Sequence, residues 1–115
     1  MDKLIYTYVV SYDIQEGDED KVRNAFREGL KEKFNADELS RSTYAFKSTE
    51  AVAEIRNMIL NLFSKACKDN KKDVTEKDEM WLVCTDKQAD FHTERPYELA
   101  CYNLIEEYLK KNKLI

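Results

Sequence analysis

Residues 4–14 read LIYTYVVSYDI, and this stretch decides the fold more than any other part of the chain. It is an apolar, β-branched run that ends at one carboxylate, Asp13. Alternation would divide its side chains between two strand faces, with Leu4, Tyr6, Tyr8 and Val10 on one and Ile5 and Val9 on the other. A strand that is apolar on both faces is typical of the centre of a sheet. We therefore expect a central strand over about residues 4–13.

Length and composition indicate one ordered domain over residues 1–115. Charged residues make up 37% and hydrophobic residues 43% of the chain, which has only two glycines and one proline. This balance is typical of a soluble, element-rich protein. No apolar run approaches the roughly 18–20 residues of a membrane span, and the N-terminus lacks signal-peptide features. We expect a cytoplasmic protein without membrane contact.

The cysteines and the histidine give no metal-site signal. Cys67, Cys84 and Cys101 are odd in number and form no C-x-x-C pair, and His92 is the single histidine. Zinc-ligand spacing is therefore missing from the sequence. We interpret the three cysteines as reduced residues that line the core.

The net charge of −4, from 23 acidic and 19 basic residues, is not typical of a nucleic-acid-binding protein. Basic residues nevertheless cluster locally, as Lys21, Arg23, Arg27, Lys31 and Lys33, then Lys65, Lys68, Lys71 and Lys72, then Lys110, Lys111 and Lys113. Acids interleave the first cluster, so a solvated helix face is the simpler interpretation there.

The remaining elements are predicted from the periodicity of apolar residues and from capping and turn residues. A helix should begin near Asp18 with an apolar stripe of Val22, Phe26, Leu30 and Phe34, followed by a turn and short edge strand over 35–40. Residues 41–47 alternate as a strand, and Ser48 or Thr49 would cap a second helix to about Lys68. A polar loop over 68–79 precedes a third buried strand, Met80 to Cys84.

A last helix should open at Pro96, after an irregular stretch over 86–95. Its apolar face would comprise Tyr97, Cys101, Leu104, Ile105 and Tyr108. The element order predicts an α+β domain: a ferredoxin-like split βαβ (βαββαβ) antiparallel sheet with an added C-terminal helix. Two helices leave one sheet face open, and we expect a further helix or a second subunit to cover it, because Tyr6, Tyr8, Tyr44 and Phe46 should not all face the same helices.

Asp13 is the first candidate for chemistry. A buried strand that delivers one acid to a sheet edge can present it to a metal or a substrate. The simpler alternative is that Asp13 only ends the strand and starts a turn. The residues alone leave both interpretations open.

Several segments carry a resemblance to a known family: TYVVSYDI (7–14), STYAFKSTEAVAEIRNMI (42–59), DEMWLV (78–83) and YNLIEEYLKK (102–111). They resemble small Cas two-like ferredoxin-fold proteins, which include the CRISPR adaptation subunit and SinR-like relatives. The endoribonuclease antitoxin of type V toxin–antitoxin systems looks similar too. The resemblance implies a homodimer in which the aspartate that closes the first strand meets its symmetry mate around a divalent cation.

Asp13 matches that metal-binding and catalytic position, so the resemblance implies Mg²⁺ or Mn²⁺ there and metal-dependent cleavage of RNA or DNA. Arg41 and Thr43 match positions that would contact backbone phosphates. Ser11 and Tyr12 would then lie at the site, with Lys21 and Arg23 as further phosphate contacts. This is the first hypothesis, either as a nuclease or as its inactive nucleic-acid-binding descendant.

Two other functions remain open at this stage. The acidic balance and the seven tyrosines favour a non-catalytic homodimeric interaction module that pairs through its sheet. A small-molecule-binding regulatory domain is the third possibility, with His92, Glu94 and Arg95 as pocket candidates. The sequence has no glycine-rich phosphate loop to support it.

Overall fold

The protein is built around one antiparallel sheet of five strands. The structure is a computed structural model that describes residues 5–15, 20–85 and 99–115. In chain order the elements are β1 (Tyr6–Asp13), α1 (Lys21–Phe34), β2 (Asp37–Ser40), β3 (Thr43–Ser48), α2 (Val52–Asp69), β4 (Glu79–Thr85), β5 (Leu99–Asn103) and α3 (Leu104–Lys111). The strand order is β2-β3-β1-β4-β5, with every neighbouring pair antiparallel. The predicted ferredoxin-like α+β class is confirmed, with a fifth strand beyond the prediction.

β1 is the middle strand of this sheet, as its two-sided apolar pattern predicts. Tyr8, Val10 and Tyr12 of this strand are buried, whereas Tyr6 and odd-numbered residues such as Val9 are half-buried. The buried side chains form one core with the apolar faces of the helices. Its largest fully buried members are Tyr8, Tyr44, Phe26, Phe63, Ile14, Leu30, Ile55, Ile59, Met80, Leu82, Leu104 and Val10.

The expected division of the aromatic residues between two sheet faces is wrong. Tyr8 pairs with Phe46 across the β1–β3 ladder, and directly paired residues of antiparallel strands share a face. Their rings stack with centroids 5.4 Å apart, and Phe34 of α1 stacks on Phe46 at 4.3 Å. Tyr44 is buried and Tyr6 is packed on the same core. All four rings therefore belong to, or pack on, the one core that the sheet forms with the helices.

The two long helices largely follow their predicted stripes. Val22, Phe26 and Leu30 of α1 are buried, and Asn35 ends the helix in the left-handed conformation that asparagine tolerates, with φ 52°. The described helix begins at Lys21, and the expected start at Asp18 lies outside the described residues.

The predicted cap of α2 is wrong by two residues or more. Ala51 occupies the N-cap and makes no side-chain cap, while the Ser48 hydroxyl oxygen accepts from the Glu50 amide at 3.0 Å in the turn before it. Ser48 therefore stabilises the strand-to-helix turn rather than the helix end.

The C-terminal region contains a strand where the sequence predicted only helix. Residues 99–103 pair with β4 along its free edge, and α3 starts directly at Leu104. The Asn103 side-chain oxygen accepts from the Glu106 amide at 3.1 Å, so Asn103 both ends β5 and caps α3. The expected helix opening at Pro96, with Tyr97, and the expected irregular stretch lie outside the described residues.

This strand also corrects the interpretation of one cysteine. Cys67 and Cys84 are buried as expected, but Cys101 is exposed. It lies opposite Val83 in the β4–β5 ladder, on the side of the sheet that points away from the helices.

We call this side the outer face and define it by Thr7, Val9, Ser11, Thr43, Ala45, Trp81, Val83 and Cys101. None of these side chains belongs to the buried core that the described residues form. The helices described here are also too short or too polar for any of them to cross a membrane.

Candidate functional site

A cavity of about 670 Å³ opens where β1 ends, and we call it the Asp13 cavity. β1, the start of α1, the β2–β3 turn and β4 line it with Ser11, Tyr12, Asp13, Asp20, Arg23, Asn24, Arg27, Arg41, Ser42, Glu79 and Trp81. Its volume falls within the range of about 300–1,000 Å³ that is usual for ligand pockets.

The fold brings most of the sequence-predicted site residues to this cavity. Its lining includes Ser11, Tyr12, Asp13, Arg23 and Arg41. Thr43 does not line it, but its hydroxyl donates to Ser11 Oγ at 3.4 Å and so borders the same end of the sheet. Lys21, the first residue of α1, is exposed and is not part of the lining.

Asp13 is exposed at the end of β1 and lies directly opposite Glu79 in the β1–β4 ladder. The two carboxylates therefore share the outer side of the sheet, where directly paired side chains have Cβ atoms about 4.5–5.5 Å apart. The Gln15 side-chain amide donates to Asp13 Oδ1 at 3.3 Å. Like charges in this position repel, and a bound cation would remove that cost.

The donor set fits a cation that shares its ligands with a substrate. Among the described residues, no three His, Cys, Asp or Glu side chains come together as a ready-made metal site. Magnesium, however, is usually held by one or two carboxylates together with phosphate oxygens and water. Asp13 and Glu79 supply those two carboxylates, so the cavity suits a divalent ion that arrives with a phosphate.

Three arginines face the carboxylates across the cavity: Arg23, Arg27 and Arg41. Arg23 forms an ion pair with Asp20, the N-cap of α1. Arg27 makes a long ion pair with the exposed Glu28, with 3.9 Å between Nη2 and Oε1. The Nε of Arg27 is buried without a hydrogen-bond partner among the described residues. Arg41, in the exposed turn between β2 and β3, pairs with no described acid. Arg27 and Arg41 thus retain donors for an anionic ligand.

Tyr12 supports the cavity wall and is unsuited to proton transfer. Burial, then the field and hydrogen bond of Tyr44, raises the pKa of Tyr12 well above its usual value. Burial also raises the pKa of Tyr44, whose hydroxyl donates to Glu38 Oε1 at 3.1 Å. Tyr12 is therefore protonated at physiological pH, and its ring packs on Phe26 and Tyr44.

Asp78 fixes the segment that follows Asp13. Its buried carboxylate accepts from the Gln15 amide at 2.8 Å and from the Thr75 amide at 2.9 Å. Lys72 Nζ lies 3.1 Å from Asp78 Oδ1 and also donates to the Gln15 carbonyl at 2.6 Å. Lys72 of the second basic cluster is therefore a structural residue. Through these bonds the loop after α2 holds the end of β1 in place.

Sequence reasoning missed six lining residues, of which Arg27, Glu79 and Trp81 matter most for the chemistry of the cavity. Arg27 follows Arg23 by four positions, the spacing that places two residues on one helix face. Trp81 stands between the buried Met80 and Leu82, so the period of two in β4 directs it to the outer face. Both signals were in the sequence, whereas the pairing of Glu79 with Asp13 depends on strand register.

No protein-family model matches the chain, and neither a curated protein nor a solved structure matches it. By its fold and its cavity, the protein is a ferredoxin-like α+β protein with a mixed-charge cleft at the end of its central strand.

Proposed function

We propose that this protein binds the phosphodiester backbone of RNA or DNA in the Asp13 cavity, the function that its resemblance to Cas two-like proteins implies. One observation carries the proposal: three arginines and the Asp13–Glu79 carboxylate pair line the same cavity. Guanidinium groups recognise phosphate through paired, charge-assisted hydrogen bonds. The overall charge of −4 makes a local site of this kind necessary, because the whole surface cannot supply the attraction.

Asp13 and Glu79 would hold Mg²⁺ or Mn²⁺ beside the bound phosphate. Such an ion supplies Lewis-acid activation of water towards phosphodiester hydrolysis. Arg27 and Arg41 bind and orient the phosphate, and the Gln15 side chain orients the Asp13 carboxylate. Asp78 keeps the backbone after Asp13 fixed, so that the carboxylate meets the ligand in one position.

Replacing Asp13 by asparagine is expected to reduce metal-dependent cleavage of single-stranded RNA or DNA by about 100-fold. The substitution keeps the size of the side chain and removes the charge that would hold the cation. Cleavage would be followed on end-labelled oligonucleotides with Mg²⁺, with Mn²⁺ and with EDTA. Asp69→Asn is the matched control, because Asp69 is exposed at the far end of α2 and does not line the cavity.

Equal cleavage by Asp13→Asn and the unchanged protein would remove Asp13 from the mechanism. Binding without cleavage, weakened by Arg41→Gln, would place the protein among inactive nucleic-acid-binding members of this fold. The proposal would be refuted if the protein neither bound nor cleaved RNA or DNA.

A second candidate, a homodimeric interaction module, is favoured by the outer face. Val9 lies between Ala45 and Val83, and Cys101 extends this row to β5, which makes an apolar band that no described helix covers. A second copy stacked on this band would bury it.

The dimer candidate predicts a solution mass of twice the 13.6 kDa of the chain at micromolar concentration. Ala45→Lys should halve that mass, because it puts a charge in the middle of the band. Asp37 lies opposite Ala45 and would pair with the new lysine, so the monomer should stay folded. Light scattering measures both, and a monomeric unchanged protein would contradict this candidate.

A further inference from the structure

Trp81 is the only tryptophan of the chain, and 43% of its surface is exposed. It lies on the outer face of β4, between Ser11 of β1 and Asn103 of β5. Met80 and Leu82 on either side of it fill the core, so the strand does not need this indole for burial. A single exposed aromatic residue is common on protein surfaces, but Trp81 also lines two cavities.

Trp81 lies between two cavities whose charged residues differ. It lines the Asp13 cavity on one side and a smaller cavity of about 240 Å³ on the other. The smaller cavity has no basic residue among the described residues that line it; it is lined by apolar side chains such as Ile105 and Leu109 and by acids, including Glu79, which the two cavities share. Phosphates would be attracted to the arginine side of Trp81 and repelled from the other side.

We infer that Trp81 is a stacking platform for an unpaired base of the strand whose phosphates bind in the Asp13 cavity. The inference rests on the proposed function and names its substrate class: single-stranded nucleic acid. With the backbone held by the arginines, the base extends over the indole towards the apolar wall of the smaller cavity.

Stacking on an exposed aromatic ring selects single strands for a simple reason. Every base of an unpaired strand can offer a free face, whereas bases inside a duplex already stack on their neighbours. Hydrogen bonds to phosphate, by contrast, are available in both forms. Arg41 and Arg27 should therefore set affinity and its salt dependence, while Trp81 should set the preference for a single strand.

The test uses the intrinsic fluorescence of Trp81, which no other tryptophan obscures. The probes are an oligouridine RNA of about 12 nucleotides and a blunt RNA duplex of the same length, titrated with Mg²⁺ over a time in which gels show both probes intact, and again in EDTA. We expect saturable quenching by the single strand and little quenching by the duplex.

Variants separate stacking from phosphate contact. Trp81→Leu should weaken single-strand binding about tenfold or more, measured by anisotropy of a labelled oligonucleotide, and leave its salt dependence unchanged. Trp81→Phe should retain most of the affinity. Arg41→Gln should instead reduce the slope of log K against log salt by about 0.7. Lys111→Gln is the charge-matched control, because Lys111 is exposed at the end of α3 and lines neither cavity.

The outcomes distinguish the two proposals. No binding of either probe in the presence of Mg²⁺ would refute the proposed function itself. The role of Trp81 alone would be overturned if Arg41→Gln weakened binding while binding caused no quenching and Trp81→Leu kept its affinity. A Trp81→Leu variant that changes the solution mass and not the affinity would overturn it too, because the indole would then serve self-association.

Discussion

Replacing Asp78 by alanine is expected to lower the free energy of unfolding by about 3–5 kcal/mol. The side chain of Asp78 is fully buried, and that of its partner Lys72 is only 9% exposed. The substitution leaves the lysine charge uncompensated in this environment. It also leaves the amides of Gln15 and Thr75 without their acceptor. Unsatisfied buried groups of this kind account for most large single-residue effects.

Urea denaturation followed by circular dichroism measures this change. Asp73→Ala is the matched control, because Asp73 is an exposed acid in the same loop. Its substitution should change the free energy of unfolding by less than about 0.5 kcal/mol. A loss below about 1 kcal/mol for Asp78→Ala would mean that water replaces the lost contacts and that Asp78 does not hold the end of β1.

Phe46→Asp is expected to unfold the chain. Phe46 is buried between Phe34 and Tyr8, and loss of a buried phenylalanine alone costs about 3–5 kcal/mol. An unpaired carboxylate in the same place adds several kcal/mol more. The sum approaches the total stability of about 5–15 kcal/mol that is usual for a domain.

The neighbouring residue provides the control for this prediction. Lys47 is exposed and points to the outer side of β3, so Lys47→Asp should remain folded. Far-UV circular dichroism and a thermal melt compare the two variants. A folded Phe46→Asp protein with a lower solution mass would contradict the burial of this ring and would place it at a subunit interface instead.

The sequence was most informative where one periodicity held over a whole element. Apolar residues on both faces of residues 4–13 predicted the central strand, and the spacing of Val22, Phe26 and Leu30 predicted the buried face of α1. Both patterns reflect which sides of a regular element are buried, and sequence displays this directly. The order of these elements then predicted the ferredoxin-like class.

Prediction failed where pairing between distant segments decides the structure. Cys101, Leu104 and Tyr108 follow a helical spacing, yet residues 99–103 pair with the free edge of β4 as a strand. Long-range pairing overrides such local preferences. For the candidate site, the end of the first strand suggested Asp13 and the resemblance suggested Ser11 and Arg23, but register alone places Glu79 opposite Asp13.

The junction at Asn103 has a consequence for how this fold can assemble. Among the described residues β5 pairs only with β4, no loop separates it from α3, and residues 86–98 separate it in sequence from the rest of the sheet. Such a strand–helix unit is a candidate for domain swapping, in which two copies of a chain exchange an identical element. If it detached, the bare edge of β4 would accept the equivalent strand of a second chain, and a reciprocal exchange would produce an intertwined pair without any change in the five-stranded sheet.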